Sequence, residues 1–136
     1  GKILHQANQP EQALALYKAS MDLYPGEFAL VLPYANTLMA SGNSELAYTL
    51  LVDISIQQPD NPDIYNLLAR AAGNTNRPLQ THTAMAEYYY LNGYTLQAVE
   101  QMKLAKKTPH LSNYEAARIQ ARLTAFEQAL KESKLE

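Results

Sequence analysis

The chain has 136 residues, 47% of them hydrophobic and 18% charged, with a net charge of −2 and no cysteine. That length supports one domain with a real core, and the composition is too apolar for a disordered chain. The balance of charge excludes the basic footprint of a nucleic-acid binder, no apolar run approaches the roughly 20 residues of a membrane-spanning helix, and disulfide and thiol chemistry are excluded outright.

The elements follow from period and punctuation. Residues 1–8 read as the last turns of a helix whose start is missing, with Leu4 at an apolar slot. Pro10 suits a first helical position, where its missing N–H has no intrahelical partner anyway. Over 10–24, Ala13, Leu14, Leu16, Tyr17, Met21 and Tyr24 recur at helical spacing, and Pro25-Gly26 stops the run. The next helix spans about 28–41 and ends at Gly42, a left-handed cap. Pro33 within it implies a late start or a kink, since proline beyond the first turn removes a hydrogen bond and crowds the preceding turn. Its partner helix covers 44–58. Asn61-Pro62 then supplies a capping residue and a proline for the first position of a helix over 62–72, closed by Gly73-Asn74. Helices over 78–91 and 94–107 follow. Ser112 and Glu115 form an S-x-x-E capping box. After it, Ala116, Ile119, Leu123, Phe126 and Leu130 lie along one helical stripe, and the tail from Lys131 frays.

Recurrence at a fixed period ties these helices into pairs. Ala13 to Ala47, Tyr17 to Leu51 and Pro25 to Pro59 are each separated by 34 residues. Ala35, Gly42, Ala47, Leu51 and Pro59 stand where a tetratricopeptide repeat places its small residues, turn glycine, large apolar residue and closing proline. The stretch therefore resembles that repeat family. The resemblance implies an all-α fold: a helical-hairpin solenoid, a right-handed superhelix of about seven to eight helices with a C-terminal capping helix. Each pair leaves an apolar face that its neighbours complete. The expected organisation is one domain over 1–136: a truncated first repeat (1–25), a repeat over 28–61, irregular repeats over 62–109 and a cap over 112–134. The chain is expected to begin in mid-repeat, as a piece of something longer.

The irregularity has a definite form. A small residue is due at position 81, where Thr81 stands, and the next clear match is Ala98, flanked by Gly93 and Met102, with Pro109 near the end. Ala47 to Ala98 is 51 residues, one and a half periods. The helix over 78–91 is thus expected to close one pair and open the next.

Catalytic motifs are missing. His5, His82 and His110 form no H-E-x-x-H pair, no G-x-S-x-G elbow occurs, and the five glycines sit singly at helix ends. No catalytic residue, metal ligand or cofactor site is expected in this chain. Lys103, Lys106 and Lys107 offset the negative end of a helix, with an anionic partner as the alternative.

Binding residues are more legible. In solenoids of this kind the first helix of each pair lines the concave face. The register places Leu32, Asn36 and Met39 there, then Asn66 and Arg70, then Glu87 and Tyr90 after the slip. Asn36, Asn66, Arg70, Glu87 and Tyr90 suit a protein or peptide partner, offering hydrogen bonds and rigid area. A merely solvated polar face is the alternative. Tyr88, Tyr89 and Tyr90 cover most of one helical turn, so one should be core and another should point outward. Arg118 and Arg122 repel each other at i, i+4 unless something acidic faces them. That acid belongs either to Glu115 and a neighbouring helix or to a partner.

A second resemblance is carried by 84–107, AMAEYYYLNGYTLQAVEQMKLAKK, and 113–128, NYEAARIQARLTAFEQ. Ala86, Glu87, Tyr89, Gly93, Tyr94, Ala98 and Gln101, with Arg118, Ile119, Ala121, Arg122 and Leu123, resemble the C-terminal end of periplasmic zinc metallopeptidases of the BepA (YfgC) type, relatives of HtpX-like proteases. In that family an H-E-x-x-H protease domain precedes a tetratricopeptide domain. The resemblance implies a periplasmic location and partners in the outer-membrane protein assembly machinery, or the chain's own protease domain. Zinc would then sit in the protease domain, which this chain lacks. A free-standing adaptor is the remaining alternative.

Overall fold

The computed structural model describes Ala15 and residues 31–134. Among the described residues are six helices and no strand: α1 (Val31–Ala40), α2 (Ser44–Gln57), α3 (Pro62–Asn74), α4 (Pro78–Leu91), α5 (Thr95–Lys106) and α6 (Asn113–Ser133). Each packs on the helix before and after it, and α1 also reaches α3. This is a helical solenoid, in which most contacts run between neighbours. The truncated first repeat over 1–25 lies outside the described residues apart from Ala15, which is helical. The choice at Pro33 between a late start and a kink turns on residues 28–30, which also lie outside them.

Three of the turns share one device. Gly42, Asn76 and Gly93 adopt left-handed backbone, with φ of 83°, 59° and 86°. In each case the next residue donates its N–H back across the helix end: Asn43 to the Leu38 carbonyl at 2.8 Å, Arg77 to Ala72 at 2.9 Å and Tyr94 to Tyr89 at 2.8 Å. The left-handed residue donates as well, Gly42 to Met39, Asn76 to Gly73 and Gly93 to Tyr90. These paired bonds satisfy carbonyls that would otherwise be orphaned at the helix end. The expected stop at Gly73-Asn74 needs correction, because α3 runs through both residues. Asn76 supplies the left-handed position, which asparagine tolerates because its short polar side chain can bond locally.

Two caps form as the sequence implies. Asn61 accepts from the Asp63 N–H at 3.1 Å, with Pro62 opening α3. Ser112 Oγ accepts from the Glu115 N–H, and Glu115 Oε1 accepts from the Ser112 N–H, both at 3.0 Å.

The core falls into two clusters that meet at α4. The first joins Ala35, Leu38, Ala47, Leu51, Ile54, Ile64 and Leu67 with Ala84 of α4. The second joins Ala86 of α4 with Ala98, Val99, Met102, Ala105, Ile119, Leu123 and Phe126. Two alanines two residues apart thus serve different cores, and α4 packs in equal measure on α3 and on α5. The pairs α1–α2 and α4–α5 are built alike. Ala35, Gly42, Ala47 and Leu51 of the first correspond to Ala86, Gly93, Ala98 and Met102 of the second, each pair 51 residues apart. Ala35, Ala47, Ala86 and Ala98 are all fully buried, as a small residue at a close helix crossing must be. The 51-residue spacing, one and a half periods, thus relates buried positions of the two pairs.

Candidate functional site

An open cleft of about 900 Å3 lies between α2 and α6. Tyr48, Val52 and Ile56 of α2 form one wall, and Tyr114, Arg118 and Arg122 of α6 form the other. Between them Tyr65 and Leu68 of α3 and Glu87 and Tyr90 of α4 complete the lining. The α2 side is held in place from behind. Arg77, at the start of α4, donates through both terminal nitrogens to Glu45 of α2 at 3.1 Å and lies over the Tyr48 ring at 4.1 Å. Asn74 adds a 3.2 Å bond to Ser44.

An ion pair is built into the cleft. Arg122 Nε donates to Glu87 Oε2 at 2.9 Å and Nη2 donates to Oε1 at 2.6 Å, a two-pronged geometry that fixes both side chains. The guanidinium lies 4.7 Å from the Phe126 ring centre, and Phe126 stacks on Tyr90 at 4.6 Å. Glu87 is 19% exposed and Arg122 44%, so the pair is half in water. Donation to the Glu87 carboxylate raises the Arg122 pKa further above its already high value, against the opposing effect of burial. Tyr65 lies in the same field. Burial chiefly raises its pKa, the Glu87 carboxylate adds to the rise, Arg122 opposes it, and Asp60 adds a little.

The expected binding residues divide into two groups. Glu87, Tyr90, Arg118 and Arg122 all line the cleft. Asn36, Asn66 and Arg70 do not. Arg70 instead donates to Asn36 Oδ1 at 3.2 Å, tying α3 to α1 across one repeat period, and Asn66 is half-buried one turn earlier on α3. Leu32 and Met39 pack against the first core cluster. The acid facing Arg122 belongs to a neighbouring helix, as Glu87 of α4, while Glu115 caps its own helix. Arg118 has no carboxylate within ion-pair distance among the described residues, and rests near the Tyr114 ring at 5.8 Å. Of the tyrosine triplet, Tyr89 and Tyr90 pack on the second core cluster, and Tyr88 contacts the Tyr89 ring at 5.7 Å.

The cleft also holds residues that sequence reasoning missed. Ile56 and Tyr114, on opposite walls, are 73% and 70% exposed, more than any other large hydrophobic side chain described. Ile56 continues the i, i+4 row of Tyr48 and Val52, and Tyr114 lies off the apolar stripe of α6 in the row of Arg118 and Arg122; those spacings were the available signal. Among the described residues no cluster of three or more His, Cys, Asp or Glu could hold a metal ion. His82 Nδ1 instead meets Gln101 Oε1 at 2.9 Å.

The model of the tetratricopeptide repeat family matches residues 4–71, half of the chain. The chain belongs to the tetratricopeptide repeat family. No curated protein matches it. In this tetratricopeptide domain the matched stretch covers α1, α2 and most of α3. The slipped helices α4, α5 and α6 lie beyond it. The cleft spans the two, with one wall on the regular repeat and the other on the final helix. Such a domain serves as a protein-interaction module, and no helix among the described residues is long and apolar enough to cross a membrane.

Proposed function

We propose that this tetratricopeptide domain is a non-catalytic module that takes an apolar segment of a partner protein into the cleft between α2 and α6. The observation that carries the reading is the pair of rims. Ile56 and Tyr114 stand more than two-thirds exposed on opposite walls of one concavity. Large apolar side chains rimming a cleft are the mark of a docking site rather than of an idle surface. Arg70 and Asn36 on the α1–α3 face, with Asn66 beside them, offer a second, polar contact area for the same partner.

The parent protein in this proposal is a periplasmic zinc metallopeptidase of the BepA type, acting in outer-membrane protein assembly and quality control. Zinc would belong to its protease domain, and this domain would hold the substrate or the assembly complex. What supports the reading is the placement of the resemblance. Its residues, Ala86 to Gln101 and Arg118 to Leu123, fall on the slipped helices α4 to α6 and include Glu87, Arg118 and Arg122 of the cleft. The same apolar rims also fit a regulatory role in which the protease domain packs into the cleft.

The test uses an unfolded outer-membrane protein, fluorescently labelled and titrated by anisotropy. Ile56→Asp with Tyr114→Asp is expected to weaken binding at least tenfold, Arg70→Ala to weaken it less, and Glu100→Ala, on the exposed face of α5, to leave it unchanged. Ile56 and Tyr114 are surface residues, so circular dichroism of the double variant is expected to match that of the wild type. Unchanged binding by a folded double variant would overturn the assignment of the cleft. Binding that appears only when the protease domain is removed favours the regulatory role.

A further inference from the structure

The cleft's charges are unevenly satisfied, and the imbalance says what it accepts. Five charged side chains line it: Asp60, Glu87, Glu115, Arg118 and Arg122. Glu87 and Arg122 neutralise each other through two short hydrogen bonds. Glu115 is engaged by the Ser112 N–H at the start of α6. Arg118 and Asp60 remain, with no ion pair to either among the described residues. They stand at opposite sides, Arg118 on α6 and Asp60 on the turn between α2 and α3.

From this we infer, resting on the docking role proposed above, that the cleft selects a protein segment in which an apolar residue is flanked by a carboxylate. The apolar residue sits between Ile56 and Tyr114. The carboxylate is held by Arg118, whose planar guanidinium offers paired donors that match a carboxylate. Arg122 suits that role less, because the Glu87 carboxylate neutralises its charge and takes its Nε–H and one Nη2–H. Asp60 repels an acid at the other side, so the segment enters in one orientation, its acidic end toward α6. Tyr114 does two things here: its ring lies 5.8 Å from the Arg118 guanidinium and it offers the ligand an exposed apolar face.

The experiment is a peptide array in which many apolar segments each appear in three forms, with Asp, Asn or Lys at one flanking position. It is probed with the full chain and with Arg118→Gln, and the best segment is then titrated by anisotropy. Because Arg118 is exposed, its pair with a ligand acid is screened, and the expected preference for Asp over Asn is about threefold to tenfold. The preference is expected to disappear in Arg118→Gln and to shrink as salt is added. Equal retention of the Asp and Asn forms, a preference for Lys, or an Asp preference that survives Arg118→Gln would overturn the inference while leaving the docking role intact. Failure to retain any segment in any form would overturn both.

Discussion

Phe126 is the largest fully buried side chain described, and Phe126→Ala tests how α6 is held. Truncating a buried phenylalanine typically costs about 3–5 kcal/mol, the sum of lost transfer energy and the cavity left behind. Here the ring also stacks on Tyr90 at 4.6 Å and supports Arg122 at 4.7 Å. The stack accounts for about 1 kcal/mol of that range, and the half-exposed cation contact for less. These effects overlap, so the expected loss is about 4 kcal/mol, a large share of the 5–15 kcal/mol typical of a domain. Urea unfolding followed by far-ultraviolet circular dichroism measures it. With a slope of about 2 kcal/mol per molar, the midpoint falls by about 2 M. Because a solenoid's stability is summed over neighbours, the loss should concentrate on α5 and α6, broadening the transition and lowering its slope. A loss below about 1 kcal/mol with an unchanged slope would refute the reasoning, since α6 would then not be seated on the second core cluster.

Three further outcomes are expected. Ala47→Leu and Ala98→Leu each place three extra carbons at a fully buried crossing and should each destabilise by about 1–3 kcal/mol in thermal unfolding; a large loss at one and none at the other would break the correspondence between the α1–α2 and α4–α5 pairs. A double-mutant cycle on Glu87→Gln and Arg122→Gln should show a coupling of about 1 kcal/mol, reduced from a buried pair's value because Arg122 is 44% exposed; zero coupling would mean the ion pair does not persist in solution. Burial raises the Tyr65 pKa above 10.0, so the unfolded chain loses that proton first; the stability held below about pH 10 is lost as pH rises through the folded value. Denaturation midpoints measured across that range should fall less steeply for Tyr65→Phe, and only in part, because burial raises Tyr34 and Tyr48 too.

What the sequence shows well is local. Ser112 and Glu115 are three residues apart and can only cap one another in one way. Gly42 and Gly93 mark left-handed turns because other residues are strained there. The Gly73-Asn74 stop failed because a dipeptide rule sees composition and not geometry. The left-handed position moved to Asn76, where the Arg77 N–H reaches the Ala72 carbonyl. The site was legible only in part for a related reason. Repeat register says which helices share a layer, but the slip at α4 changes which layer carries the cleft. Asn36, Asn66 and Arg70 lie on helices before the slip, and Glu87 and Tyr90 after it, so one expected surface became two. Ile56 and Tyr114 become neighbours across a cleft only through the packing of the helices between them, which no local pattern encodes.

The slip and the cleft have one cause. In a regular array each helix opens or closes a pair, and its apolar side is used once. α4 does both, directing Ala84 into one core and Ala86 into the other. A 3.6-residue period then leaves a stripe between those contacts: Gln80, Thr83, Glu87 and Tyr90 recur at helical spacing, and all four line the cleft. The walls fall to α2 on one side and to α6 on the other, and Phe126 and Arg122 of α6 meet the Tyr90 and Glu87 end of that stripe. The final helix therefore seals the second core through Ile119, Leu123 and Phe126 while presenting Tyr114, Arg118 and Arg122 to the opening. Glu87 and Arg122 bridge these two roles, since their hydrogen bonds join the half-buried stripe of α4 to the wall of α6. A ligand entering here meets a surface whose shape is fixed by the core beneath it, so little ordering of the protein is required when it binds.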